Sequence, residues 1–313
     1  MAILLTGAFG NVGKSSLNIL LQQNQKVKCF DLKTAKNQWS AKKYKKVKFV
    51  WGDISNPSDV KKTMTEDIEA VIHLAAIIPP GSEKNPLLAY KVNVLGTLNI
   101  LDAIRQLQKT PQLIFASSVS IYGNTQDQKK MLEVNTCKNP IDEYSRHKSA
   151  CEKIIKSSGI PYTILRYGAV LPLSLSIDPI MYDVPLDTKI EFLHTYDAGR
   201  AAVNAIGNKK AFNKTFLIGG GKSSQLYYRE MMRQLLETMG IGMLPDSAFG
   251  KNPYYTGWMN TKESEKVLKY QQHDFKKYVQ QIKGRLGVGR YLTKAAKPLV
   301  RKILLKKSPY YSK

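Results

Sequence analysis

The sequence predicts an α/β fold, a doubly wound parallel sheet with a small C-terminal part and a basic amphipathic tail. Three observations carry that expectation. The chain opens on a short apolar run, Ala2 to Leu5, that leads through Thr6-Gly7-Ala8-Phe9-Gly10-Asn11-Val12-Gly13 into a helical pattern. A second strand-like run, residues 26–30, ends in Asp31. Strand and helix signals then alternate to about residue 170, as they do where a parallel sheet is covered on both faces. At 313 residues the chain can bury one large core, or a large and a small one.

Taken in order, strands are expected at 2–6, 26–31, 46–51, 69–75, 111–117 and 161–166, and helices at 11–23, 57–64, 85–108 and 143–158. Pro86 falls close to the first turn of the third helix, where its missing N–H costs nothing. A later strand, residues 215–218, runs into Gly219-Gly220-Gly221, which lacks a phosphate-loop fingerprint and reads as a glycine-rich strand exit. The expected organisation is a dinucleotide-binding unit over 1–170 to which 193–220 returns, a smaller substrate-binding part from 171–192 and 221–275, and a tail over 285–313.

The first turn is the most informative. A buried strand feeding a glycine loop and a helix aims unpaired amides and the positive helix end at a pyrophosphate, the Rossmann-type arrangement. Gly7 permits the turn, Gly10 lets phosphates approach the backbone, and Gly13 lets the helix sit close to the strand. With Phe9, Asn11 and Val12 they are the expected cofactor-binding loop. Asp31 stands where a carboxylate accepts from the adenosine ribose hydroxyls and repels a 2′-phosphate, which favours NAD over NADP.

A second constellation lies downstream. The run Leu113 to Gly123 places Ser117 and Ser118 just beyond the carboxyl end of a buried strand, the edge where open α/β sheets bind ligands. Tyr144 and Lys148 are four apart, hence on one helix face. An ammonium beside a phenol lowers its pKa by about 1–3 units, which would let Tyr144 take a proton from a substrate hydroxyl while Ser118 orients the same oxygen. At helical spacing alone, a tyrosine and a lysine also make an ordinary surface pair.

With these pieces in hand the chain resembles the extended short-chain dehydrogenases/reductases, the group of NAD-dependent epimerases and dehydratases, over residues 1–275. The matching pieces are the loop from Thr6 to Gly13, Gly52-Asp53-Ile54, His73-Leu74-Ala75-Ala76, the run Asn93 to Asn99, Ser117-Ser118, Tyr144 with Lys148, Leu165-Arg166-Tyr167, His194 with Asp197, and Phe216 to Gly221. The resemblance implies that Asp53 and Ile54 flank an adenine, that Leu74, Ala75 and Ala76 line the cofactor groove, and that Asn93 supports the active-site helix. It further implies catalytic roles for Ser118, Tyr144 and Lys148, with Lys148 also holding the nicotinamide ribose, and a homodimer through the helices at 85–108 and 143–158. No metal is expected.

Departures from the family pattern narrow the reaction. Similar sugar dehydratases carry an acidic pair after the catalytic serine or threonine, where this chain has Val119 and Ser120; that leaves epimerisation or net alcohol oxidation and carbonyl reduction. Similar nucleotide-sugar epimerases present an asparagine and an arginine near the diphosphate where this chain has Gly168-Ala169 and Ile190-Glu191, and Arg200, Lys222 and Arg229 are the cations left to substitute. A nucleotide sugar is the substrate implied by resemblance. The alternatives are a dehydrogenase or reductase of an apolar hydroxyl compound, sterol-like or isoprenoid, at a membrane surface, and a non-catalytic NAD-binding scaffold.

The net charge is +24, and half of it falls after Asp274, where twelve residues are basic and none is acidic. From Arg290 to Lys307 apolar residues recur at helical spacing among lysines and arginines, with Pro298 bending or dividing the helix. That pattern fits an interfacial helix on an anionic membrane, with Tyr310 and Tyr311 at the boundary, and equally a helix packed back on the enzyme, a subunit contact, or a disordered tail. Recognition motifs for nucleic acid are absent. Cys29, Cys137 and Cys151 lack metal-like spacing and read as small buried side chains in a reducing, cytoplasmic setting, peripheral to the inner membrane face if the tail attaches there. No secretory signal is expected, nor a run of about 18 apolar residues able to span a bilayer.

Overall fold

The computed structural model describes residues 1–173, 179–252 and 254–311. Residues 174–178 of the expected substrate-binding part, residue 253, and the last two positions of the tail lie outside the described residues. The order begins β1 (Ala2–Thr6), α1 (Asn11–Gln22), β2 (Val27–Asp31), α2 (Ala35–Ala41), β3 (Lys48–Trp51), α3 (Pro57–Thr63) and β4 (Ile68–His73). It continues with α4 (Gly81–Lys84), α5 (Pro86–Tyr90), a π turn (Lys91–Leu95), α6 (Gly96–Arg105), β5 (Gln112–Ser118), α7 (Glu143–Lys156), β6 (Tyr162–Tyr167) and β7 (Ala169–Leu171). Then come β8 (Lys189–His194), α8 (Thr195–Asn204), β9 (Lys214–Ile218), β10 (Gln225–Tyr227), α9 (Tyr228–Thr238), α10 (Lys262–Leu268), α11 (Phe275–Leu286), α12 (Gly289–Ala295) and α13 (Lys297–Lys307).

Seven parallel strands form the main sheet in the order β3-β2-β1-β4-β5-β6-β9, confirming the doubly wound α/β class. Because successive strand residues point to opposite faces, Ile3 and Leu5 enter one core with α1 and α8, while Ala2 and Leu4 enter another with α3, α6 and α7. Both faces are covered, which is why the strands read as continuous apolar runs rather than alternating ones. The small sheet β10-β8-β7 builds a third core with α9, α11 and α13.

The helix expected as one piece over 85–108 is interrupted by the π turn at Lys91–Leu95. A π turn widens one turn without breaking the path of the helix, so the whole run reads as one helical segment. Among the described residues, Pro86–Arg105 is the one helical stretch long and apolar enough on average to cross a membrane; it is no continuous apolar run, since Lys91, Asn93, Asn99 and Asp102 interrupt it, and half of it is buried in the molecule. Cys29 and Cys151 are buried as expected, whereas Cys137 is exposed.

Candidate active site

The strand order reverses at β1, between β2 and β4, and the crevice outside the carboxyl ends there is where open α/β sheets take ligands. Gly7, at φ +65°, turns the chain beneath that crevice, and a Cβ on it would lie 2.7 Å from the Ala75 nitrogen. A Cβ on Gly13 would lie 2.1 Å from the Gly7 carbonyl oxygen, so α1 approaches the turn as only glycine allows. The N-terminus of α1 has no side-chain cap and no acidic residue in its first turn, leaving amides free for an anion.

Asp31, at the end of β2, faces the same loop. Its carboxylate accepts from the Phe9 amide at 2.9 Å and the Leu32 amide at 2.8 Å. Burial nevertheless pushes its pKa above the ordinary value, with those bonds opposing. Phe9 stacks on Phe49 and Trp51, fixing the loop from outside. Across the crevice, Leu74, Ala75 and Ala76 are half-buried, and the Ala75 amide donates to Thr6 Oγ1 at 3.3 Å. The Asp53 carboxylate is held by the Ser55 amide and hydroxyl. Ile54 is turned into the second core, and its carbonyl accepts from Asn99 Nδ2 at 2.9 Å, so its side chain is committed to packing. Asn93 is buried in the π turn and clamps the loop after β4, accepting from the Ile77 amide at 2.7 Å and donating to the Ile77 carbonyl at 2.9 Å.

Ser118 ends β5 and α7 crosses beside it. An Asp142–Ser145 capping box starts α7, which places Tyr144 in its first turn and Lys148 one turn on. Ser118 acts on the Tyr144 phenol, favouring its ionised form against the effect of burial. Ser118 Oγ also accepts from the Ser120 amide at 3.1 Å and hydroxyl at 2.9 Å. Lys148, only 3% exposed, donates to the Ala116 carbonyl at 2.6 Å and lies over the rings of Phe115 and Tyr144, at 4.7 and 5.6 Å from their centroids.

One electrostatic expectation is corrected. Burial pushes the Tyr144 phenol above its ordinary pKa, with Ser118 opposing, instead of Lys148 pulling it down. The physical reason is direction: the ammonium is spent on the Ala116 carbonyl and faces the ring rather than the hydroxyl. Burial lowers Lys148 itself to about 8.

A buried network behind Ser118 escaped the sequence reading. Arg166, 1% exposed, donates from Nε and Nη2 to the two carboxylate oxygens of Glu152 at 2.8 and 2.7 Å. Lys138 Nζ lies 2.6 Å from the same carboxylate, Ser117 donates to it at 2.6 Å, and Arg166 also bonds the Tyr122 hydroxyl. Its signal was the recurrence of Tyr144, Lys148 and Glu152 every fourth residue, one stripe that carries the hydroxyl and the ammonium and ends in the anchor.

At the places where a phosphate clamp was sought, Ile190 is buried, and a Cβ on Gly168 would meet the Met259 methyl at 2.7 Å. Glu191 is fully buried; its carboxylate accepts from the Met259 amide, Gln225 Nε2 and the Gly221 amide, and burial raises it to about 7. Gly219 lies against it so closely that a Cβ there would sit 2.1 Å from Glu191 Oε1, which accounts for a glycine-rich strand exit. Arg229 is paired with Asp246, and Lys222 is exposed. His194, Asp197 and His273 bring ligand-type atoms within 4.8 Å of one another, yet Asp197 is bonded to His273 and His194 to Tyr196 and Gln281, a clasp that ties the β8–α8 junction to α11 and the residues before it.

The sequence matches the model of the "NAD dependent epimerase/dehydratase family" over residues 3–171. It is 31% identical over 248 residues to a putative UDP-glucose 4-epimerase of Methanocaldococcus jannaschii, covering 72% of this chain and 78% of the relative. It is 33% identical over 173 residues to a UDP-glucose 4-epimerase of Lactobacillus helveticus, covering 53% of this chain and about half, 51%, of that protein's length. In fold it is similar to a dTDP-glucose 4,6-dehydratase from Bacillus anthracis solved with NAD, with a TM-score of 0.77, 19% identity and coverage of 91% and 96% of the two chains. It is likewise similar to a UDP-glucuronic acid 4-epimerase from Bacillus cereus, with a TM-score of 0.76, 22% identity and coverage of 91% and 100%. Matched by the family model over more than half its length, and sharing most of that length with a relative, the chain belongs to the NAD-dependent epimerase/dehydratase family.

Proposed function

We propose that this protein is an NAD-dependent epimerase or oxidoreductase acting on a nucleotide sugar, with Ser118, Tyr144 and Lys148 as its catalytic residues. The observation that carries the reading is the stacking of Tyr144 and buried Lys148 on one face of α7, the ammonium 5.6 Å from the phenol ring, beside Ser118 at the carboxyl edge of the sheet next to the glycine crevice. The chain's residues fit NAD: the crevice offers uncapped amides on α1, a backbone approach that Cβ atoms would block, and a carboxylate at Asp31. Gly7, Phe9, Gly10, Asn11, Val12 and Gly13 would hold the pyrophosphate; Asp31 the adenosine ribose; Asp53, the Ile54 backbone and Leu74 to Ala76 the groove; Lys148 the second ribose. Asn93 positions the rim. NAD, when bound, supplies a hydride acceptor.

Tyr144 Oη takes the proton from the substrate hydroxyl, and in an epimerisation returns it. Ser118 orients the reacting oxygen and offsets part of the burial that opposes ionisation of the phenol. Val119 and Ser120 put no carboxyl beside the site, which favours epimerisation or oxidation over dehydration. The division into an NAD-binding unit and a smaller substrate-binding part belongs to this reading, supported by the separate third core. So does a homodimer through α5, α6 and α7, supported by the exposure of Leu87, Leu88 and Tyr90. A cytoplasmic setting is supported by the three unpaired cysteines.

Calorimetric titration of the NAD-loaded protein with UDP, GDP, CDP and dTDP tests the substrate class. One diphosphate is expected to bind at micromolar Kd or better, about −8 kcal/mol. Binding of none would favour the apolar-alcohol reading, which the burial of Ile190 and the pairing of Arg229 already lend some weight. A second expected result concerns pH. Lys148 loses its proton as pH rises through about 8, so NAD affinity should weaken across that pH by roughly fivefold, the difference of ~1 kcal/mol between charged and neutral hydrogen bonds. In Lys148→Met the affinity should be weaker at every pH and flat; a step that persists would assign it to another group.

A further inference from the structure

The tail is folded against the molecule. Val300 and Leu304 of α13 pack into the third core. Tyr182 donates to the Leu304 carbonyl at 2.7 Å, Arg301 to the Met243 carbonyl at 2.6 Å, and Ser308 to the Ala248 carbonyl at 2.7 Å. An adjoining face is left without an apolar partner: Leu299 is 61% exposed, Ile303 48%, Leu292 on α12 73%, and Val288 just before it 79%. Exposed Lys294, Lys297, Lys302 and Lys306 lie on the same two helices. Beside them is an open depression of about 420 Å³ lined by Lys283, Arg290, Tyr291 and Lys294, whose one carboxylate, Glu237, is paired with Arg233.

We propose that α12 and α13 form a preformed docking face for an anionic phospholipid bilayer. Leu292, Leu299 and Ile303 enter the acyl boundary, the lysines meet the lipid charge, and the depression accepts a phosphate headgroup. Charge complementarity selects this occupant. No acidic residue follows Asp274, so a second copy would bring like charge against like, and a nucleic acid would leave the leucines and the isoleucine unburied. The anchoring of α13 in the third core means that the small sheet, not the dinucleotide crevice, is the part held nearest the lipid.

Flotation of the full chain with vesicles of phosphatidylcholine alone, or containing about a third phosphatidylserine, tests this. Binding to the anionic vesicles is expected, falling with added salt and by about fivefold for each of Lys294→Gln, Lys302→Gln and Lys306→Gln. The triple variant Leu292→Glu/Leu299→Glu/Ile303→Glu, at exposed positions, should keep its melting temperature and lose at least tenfold in binding. Failure of the wild type to float, equal binding to both vesicles, or unchanged binding of either variant set would overturn the proposal. So would a halved lipid-free mass of the triple variant in light scattering, which would make the face a contact between copies.

Discussion

Tyr144→Phe should lower turnover by about 10²–10⁴-fold, the range a positioned general acid or base supplies, while NAD affinity changes less than about twofold, well within 1 kcal/mol. The substitution removes one oxygen from a half-buried ring and leaves the capping box and Lys148 in place. Ser118 keeps its bonds from Ser120, so the serine stays where it is. The loss should appear in kcat rather than in KM, because the phenol acts on the proton in flight more than on bound substrate. Comparable turnover in the variant would remove Tyr144 from the mechanism. A parallel loss of NAD binding would instead make it a structural residue of the crevice.

Arg166→Met should destabilise the protein by about 3–5 kcal/mol, the cost of leaving a buried charge without its partner. Glu152 is fully buried, and Arg166 supplies two of its hydrogen bonds; Lys138 and Ser117 remain but cannot replace the bidentate fork. Burial alone would raise the Glu152 carboxyl, yet the Arg166 bonds and charge, with Lys138 and Ser117, hold it down at about 2. A carboxyl held low when folded contributes stability that is complete above its unfolded value near 4.5 and is lost as pH falls toward 2. Denaturant titrations between those pH values should therefore show a steep acid limb in the wild type and a shallow one in Arg166→Met. Adding Glu152→Gln to the variant should recover part of the loss by removing the stranded charge. Because Ser117 and α7 meet at this network, turnover should fall with stability; full activity in a destabilised variant would separate the anchor from the site.

Strand positions were legible because buried parallel strands are continuous apolar runs: all seven strands of the main sheet coincide with those read from the sequence to within a few residues at each end. The crevice was legible for a local reason, since Gly7 to Gly13 must be glycine-rich wherever a helix packs that close to a turn. What stayed hidden is long-range. Glu152 and Arg166 belong to different elements, and although spacing places Glu152 on the face of Tyr144 and Lys148, it does not show that its partner is Arg166, 14 residues away. The burial of Glu191, which reads as an ordinary charged residue, depends on donors at Gly221, Gln225 and Met259.

The sequence by itself determined the doubly wound sheet, the glycine crevice with Asp31, and the placing of Tyr144 and Lys148 on one helix face, because each is written in local spacing. Only the tertiary structure decided that Lys148 points to the Ala116 carbonyl and so does not lower the Tyr144 phenol. It alone decided that Glu152 is a buried anchor, and that the tail, divided just ahead of Pro298 as the proline implies, buries Leu304 and exposes Leu299 and Ile303. The reason is the same each time: spacing fixes which side chains share a face, but the direction of a hydrogen bond, the cost of burying a charge and the side of a helix that meets a core depend on atoms that only folding brings near.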